Sequence, residues 1–199
     1  MSGATAAAPS RGTPVPDHVR AREQAERILA DVPAWIWDGE RLPVPVEDIV
    51  DSCFGLHVRD VEDLSAAPGA PALEQGQQLS GLLLPARGEI WVNADEARRW
   101  PPRRRFTIGH ELGHWVMHRT GQETLFCRRT TVQDAHAVAA VIEEEASQFA
   151  AELLMPRWLL VREHAACGGD IEQLCARFAS SRAAMERRIA HVIVGEPPA

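Results

Sequence analysis

The sequence predicts an α+β domain: a small antiparallel or mixed sheet in the N-terminal half, packed on a helical half that carries the chemistry. Three observations predict it. Short runs of period two lie between about residues 56 and 93, runs of helical period follow from about residue 103, and the composition suits one core. The chain has 199 residues, 45% apolar and 25% charged, enough for one domain and too few for two full ones. Its longest apolar runs last a few residues, far short of the roughly 20 that cross a bilayer, which excludes a membrane-spanning role.

The elements follow in order. Residues 1–16 are small, Pro-rich and aperiodic, and are expected to form a disordered tail. A single domain is expected over 17–194, with 195–199 as a second tail. Asp17 caps a first helix, DHVRAREQAERILADV, on the spacing of Val19, Ala25, Ile28 and Leu29. A second helix spans about Val46 to Cys53 and ends at Gly55, and LHVRDV then alternates as a strand. Ser65 to Gly76, rich in Ala, Pro and Gly, reads as a surface loop. LSGLLLPARGEIWVN forms a hairpin turning at Pro85 to Gly88. Helices are expected over Arg103–Arg119, Ala137–Leu154, Arg157–Ala166, Asp170–Ala179 and Arg182–Val194. No internal repeat is visible.

The formal charge is −7 and all 21 basic residues are arginine. That balance argues against broad, charge-driven adhesion to nucleic acid. The N-terminus lacks the basic start and apolar stretch of a secretory signal, so the expected location is the cytoplasm. Cys53, Cys127, Cys167 and Cys175 lie 74, 40 and 8 positions apart, which matches neither a zinc-knuckle nor a redox spacing and suits reduced thiols.

The string FTIGHELGHWVMH carries the chemistry. His110, Glu111, Leu112, Gly113 and His114 fit the H-E-x-x-H zinc pattern on a helix. Histidines four apart are separated by about 40° around the axis and about 6 Å along it, so both can reach one ion. Glu111 points toward the water such an ion would activate and is placed to take its proton. On the same helix Ile108, Leu112, Trp115 and Val116 share the opposite face. Gly109 and Gly113 are poor helix formers, sensible where another element or a substrate comes close. A catalytic zinc takes a third protein ligand. His118 lies about 12 Å along the helix from His110, too far to share the ion, and reads as a solvent-facing or ligand-orienting histidine. The metzincin Gly and His are absent, their positions being held by Met117 and Thr120.

The third ligand is sought in VIEEEASQFAAELLMP. On a helical wheel Glu143 falls inside the apolar stripe of Ala146, Phe149, Ala150, Leu153 and Leu154, while Glu144 and Glu145 face outward as a solvated acidic turn. A carboxylate aimed inward is costly unless paired or coordinating a metal, which singles out Glu143.

Together RRRFTIGHELGHWVMH, EEEASQFAAELLMP, IEQLCARFASSRAAMERRI and the preceding hairpin resemble the ImmA/IrrE family of zinc metallopeptidases, over roughly Ala25 to Val194. The resemblance implies one Zn2+ held by His110, His114 and Glu143, with Glu111 as general base. It departs at Ser147, where members commonly carry Asn or Asp; a serine hydroxyl can still hydrogen-bond a ligand histidine. It also implies a cytoplasmic endopeptidase that cleaves a helix-turn-helix transcriptional repressor in a stress or mobile-element response. The repressor is expected to be a separate polypeptide, with no direct nucleic-acid or membrane contact.

Two other classes stand beside this reading. One is a catalytically idle zinc-binding sensor. The other is a DNA-binding regulator, because IEQLCARFASSRAAMERRI has helix-turn-helix rhythm; its mix of Arg182, Arg187 and Arg188 with Glu186 reads as a helical support instead. The chain has no tyrosine, so His118, His136, Arg128 or Arg129 would have to stabilise an oxyanion. The hairpin edge is open to strand addition by an extended substrate. Cys127 reads as an ordinary thiol, Trp91, Trp100, Trp115 and Trp158 as core or interface aromatics, and Arg103 to Arg105 as a solvated helix start.

Overall fold

A computed structural model describes residues 14–67, 79–118 and 132–195, with side chains from residue 138 onward in the last stretch. Residues 1–13 of the tail expected over 1–16 and most of the loop expected over 65–76 therefore lie outside the described residues.

Helix α1, His18–Asp31, starts where Asp17 accepts a hydrogen bond from the Arg20 amide at 2.9 Å. Its buried stripe is Ala21, Ala25 and Leu29. Val19, expected on that stripe, is exposed instead, because a helix lying close against another buries its small residues. Helix α2, Val46–Phe54, ends at Gly55, whose φ of 63° lets its amide reach back to the Val50 and Asp51 carbonyls.

Strand β1, His57–Val61, leads through a short 3-10 turn at Leu64–Ala66 toward the hairpin. Strands β2, Gly81–Leu84, and β3, Glu89–Asn93, pair antiparallel around a 3-10 turn at Pro85–Arg87, as the sequence predicts. β1 pairs parallel with β3, His57 opposite Glu89, so the order is β1-β3-β2 and the sheet is mixed. Ile90 and Val92 of the central strand are buried.

Helix α3, Ala94–Arg99, was not anticipated. Its signals are present in the sequence: Asn93 caps the Glu96 amide at 3.0 Å, Asp95 and Glu96 open it, and Arg98 and Arg99 close it. Helix α4, Pro101–His118, begins before the expected Arg103, since prolines in a first turn forfeit no helical hydrogen bond. Arg103 to Arg105 are not free in solvent. Arg103 pairs with Glu96 at 2.8 Å, Arg104 with Glu47 and Asp60, and Arg105 donates to the Val44 carbonyl at 2.6 Å, fastening α4 to its neighbours.

Helices α5, Val132–Leu154, α6, Arg157–Ala166, α7, Ile171–Phe178, and α8, Arg182–Ile189, complete the α+β fold, α8 running on as a π turn at Ala190–Val194. Ile108 and Leu112 of α4 meet Phe149 and Leu153 of α5 in the core. Ala179 takes the left-handed conformation (φ 48°) in the corner between α7 and α8. Arg188 is only 3% exposed. It forms a two-pronged ion pair with Glu152, one prong at 2.7 Å, and donates to the Met155 carbonyl at 3.0 Å. Arg182 is spent on Glu186 at 2.9 Å. Two of the three arginines of this helix are thus engaged in ion pairs within the chain. Trp91 is half-buried and donates to Glu89 at 2.7 Å, whereas Trp100 and Trp158 are exposed and not core residues. Cys53, Cys167 and Cys175 are free thiols; Cys127 lies outside the described residues. Among the described residues no helix is long and apolar enough to cross a membrane.

Candidate active site

The site forms where α4 lies along α5. A Cβ on Gly113 would stand 3.1 Å from the Ala146 Cα and carbonyl oxygen, and one on Gly109 would stand 3.4 Å from the Ala150 Cβ. The two glycines therefore serve the approach of a neighbouring helix. That approach brings His110 and His114, one turn apart on α4, to face Glu143 on α5.

The donor atoms converge. His110 Nε2 and His114 Nε2 are 2.9 Å apart, Glu143 Oε2 is 3.1 Å from the first and Glu143 Oε1 is 3.3 Å from the second. Ligands at zinc bond lengths of about 2.0–2.1 Å in a tetrahedron are separated by about 3.3–3.4 Å. Two imidazole nitrogens and a carboxylate at this spacing fit a divalent metal ion. The outer nitrogen of His110, Nδ1, lies 3.3 Å from Ser147 Oγ, which leaves Nε2 to turn inward. Ser147, where the resemblance led us to expect Asn or Asp, thus meets the ring.

Glu143 reaches the histidines by a different route from the one the wheel implied. Its side chain is 62% exposed, because the stripe at that level of α5 borders an open cleft and not the core. Glu145, expected to be solvated, is buried. α1 covers that side of α5, and the Asp17 amide donates to Glu145 Oε1 at 2.7 Å. Glu144 meets His18 Nε2 at 3.1 Å. His118 is buried too, with Nε2 3.7 Å from Glu145 and its ring centroid 5.6 Å from that of His114.

Glu111 is buried beside the cluster. Burial pushes its carboxyl above the usual range, against the pull of His110 and His114 and of the Leu83 backbone N–H, which donates to it. Burial depresses His114, but its hydrogen bond to Glu143 and the charges of Glu111 and Glu143 outweigh that and leave it raised. Glu143 is held well below the ordinary carboxylate range by hydrogen bonds from His110 and His114.

These shifts set a pH dependence. The raised His114 contributes stability to the metal-free protein below its unfolded value of about 6.5, and that contribution is lost as pH rises through the folded value. A cation needs the neutral imidazole and must displace this proton. Apparent Zn2+ affinity is therefore expected to climb steadily as pH rises from about 6 to about 8. Competition titrations with a chromophoric chelator measure it; a flat profile contradicts the donor set.

The cluster opens into a cleft of about 710 Å³ whose walls include Gly81, Trp100, Phe106, Thr107, Glu111, Ser147, Ser180 and Arg187. Arg103 and Arg187 bring positive charge to it. His118 does not line the cleft, so it does not face an oxyanion there. Arg128, Arg129 and the side chain of His136 lie outside what the structure describes. Sequence reasoning offered the hairpin edge to a substrate but missed its contact with the base: Ser80 and Gly81 of β2 and its lead-in line the cleft, and Leu83 adjoins Glu111. The strand's alternation signals a hairpin but not what its edge touches.

No curated protein matches the chain. Among solved structures, a Mycobacterium tuberculosis transcriptional regulator is similar with a TM-score of 0.57 and 18% identity over 86% of this chain. The chain spans 46% of that regulator's length, so the likeness is one of fold. The description of the IrrE N-terminal-like domain, a peptidase family, matches residues 70–190, a narrower span than Ala25 to Val194. That span includes β2, β3, α4 and α5 and every side chain of the cluster, and the chain belongs to the IrrE N-terminal-like domain family of peptidases.

Proposed function

We propose that this protein is a zinc-dependent endopeptidase of the cytoplasm that cleaves a separate helix-turn-helix transcriptional repressor during a stress or mobile-element response. The observation that carries the reading is the convergence of His110, His114 and Glu143 in an open cleft with Glu111 buried beside them.

When bound by His110, His114 and Glu143, zinc supplies Lewis acidity toward a peptide carbonyl and lowers the pKa of water. Glu111 takes a proton from the attacking water and delivers it to the leaving amine nitrogen. Its burial beside the two histidines places it for that shuttling role. The Leu83 amide and the surrounding burial hold the carboxylate toward the cluster, and the Ser147 hydroxyl orients His110.

The sheet supports strand addition. Asn93 donates to the Ser80 carbonyl at 2.9 Å, so Ser80–Asn93 and Leu82–Trp91 are the hydrogen-bonded pairs of the hairpin. Gly81 and Leu83 then turn their backbone groups away from β3. The Leu83 amide goes to Glu111, and the Gly81 backbone remains at the cleft for an extended chain.

The test is direct. The zinc-loaded protein is incubated with a helix-turn-helix regulator encoded beside its gene, and the products are read by mass spectrometry. One discrete cut, blocked by a chelator and restored by Zn2+, is the expected result. An intact repressor, or salt-sensitive binding of DNA by this protein alone, would overturn the reading.

A further inference from the structure

β2 meets α4 at Gly81. A Cβ at this position would collide with Thr107 Cγ2, and would stand 3.0 Å from Glu111 Oε1 and 3.3 Å from the Trp91 carbonyl oxygen. Gly81 is not among the positive-φ residues, so the position requires the absence of a side chain and not an unusual backbone. Thr107 is buried one turn before Glu111 on α4, and its β-branched side chain has little rotational freedom. Two residues along β2, the Leu83 amide donates to Glu111. Both contacts fall on the same short strand, where it lies against α4.

We propose that Gly81 is a positioning residue for Glu111: by carrying no side chain, it lets β2 press against α4 so that the Leu83 amide holds the carboxylate beside His110, His114 and Glu143. The role rests on the reading of Glu111 as the base. Gly81 itself touches no reacting atom through a side chain; it acts through the distance between a strand and a helix. Misplacement of a catalytic group by about 1 Å can cost on the order of 10²-fold in rate.

The experiment compares the zinc-loaded full chain with Gly81→Ala, Thr107→Ser, the double variant Gly81→Ala/Thr107→Ser, and Glu111→Gln. It reads melting temperature, zinc content, hydrogen exchange of the Leu83 amide by NMR, and hydrolysis of casein. Gly81→Ala alone is expected to lower the melting temperature by roughly 3–10 °C through overpacking. Thr107→Ser removes the colliding methyl, so the double variant recovers most of that loss. Its new Cβ still crowds Glu111 Oε1. The double variant is therefore expected to keep zinc, to exchange its Leu83 amide faster, and to lose about tenfold or more in kcat with little change in KM.

A purely structural glycine would restore kcat together with the melting temperature. Wild-type Leu83 protection and wild-type kcat in the double variant overturn the proposal. If Glu111→Gln cleaves casein at the wild-type rate, the base assignment falls and Gly81's role falls with it. If Glu111→Gln is inactive while the double variant is fully active, only Gly81's role falls. Leu83 exchange reads the contact whether or not casein is cut.

Discussion

Glu111→Gln is expected to leave the protein folded and able to load zinc while cleavage of its substrate falls by about 10²–10⁴-fold. The amide is nearly the same size and can still accept from the Leu83 N–H, so packing between β2 and α4 is kept. What it cannot do is take a proton. The three groups that fit the metal, His110, His114 and Glu143, are untouched. Zinc content by mass spectrometry and cleavage by gel or mass analysis separate the two properties. A catalytically idle zinc-binding sensor would lose neither, so an unchanged partner response in this variant would favour that class over a peptidase.

The second large effect is on stability. Glu152→Ala strands the Arg188 guanidinium in the interior, where it is 3% exposed, and is expected to cost about 3–5 kcal/mol. Arg188→Ala strands Glu152 in the same way and also frees the Met155 carbonyl that Arg188 satisfies at 3.0 Å. Gln148, which donates to Glu152 at 2.9 Å, cannot replace the lost charge. Replacing both partners with apolar residues of similar volume, Glu152→Leu with Arg188→Met, is expected to recover much of that loss, the freed Met155 carbonyl leaving a residual cost of about 1–3 kcal/mol. Urea denaturation of the three variants measures the contrast. Equal losses in the single and double variants would mean that the helices, not the pair, hold the C-terminal half in place.

Much of this was legible in the sequence where local chemistry decides structure. The hairpin followed from alternation around Pro85 to Gly88, and α6, Arg157–Ala166, matched its predicted bounds. The H-E-x-x-H spacing placed His110 and His114 on one face of a helix, where the structure has them. The failures came where a distant element decides. Nothing within VIEEEASQ tells that α1 will cover Glu145, so a residue with surface character is buried under the Asp17 amide. Arg103 to Arg105 look solvated until the acids of α2, β1 and α3 arrive to meet two of them. Helix α3 escaped notice because six residues are too few to show a period. The parallel pairing of β1 with β3 depends on a crossover that no short pattern encodes.

Gly109 against Ala150 and Gly113 against Ala146 have one more consequence. The spacing of the donor atoms is set by two helices touching, side by side, and not by the stretch of chain that joins them. The cation's coordination geometry is therefore a property of the helix pair itself, and it persists for as long as these two small-residue contacts hold.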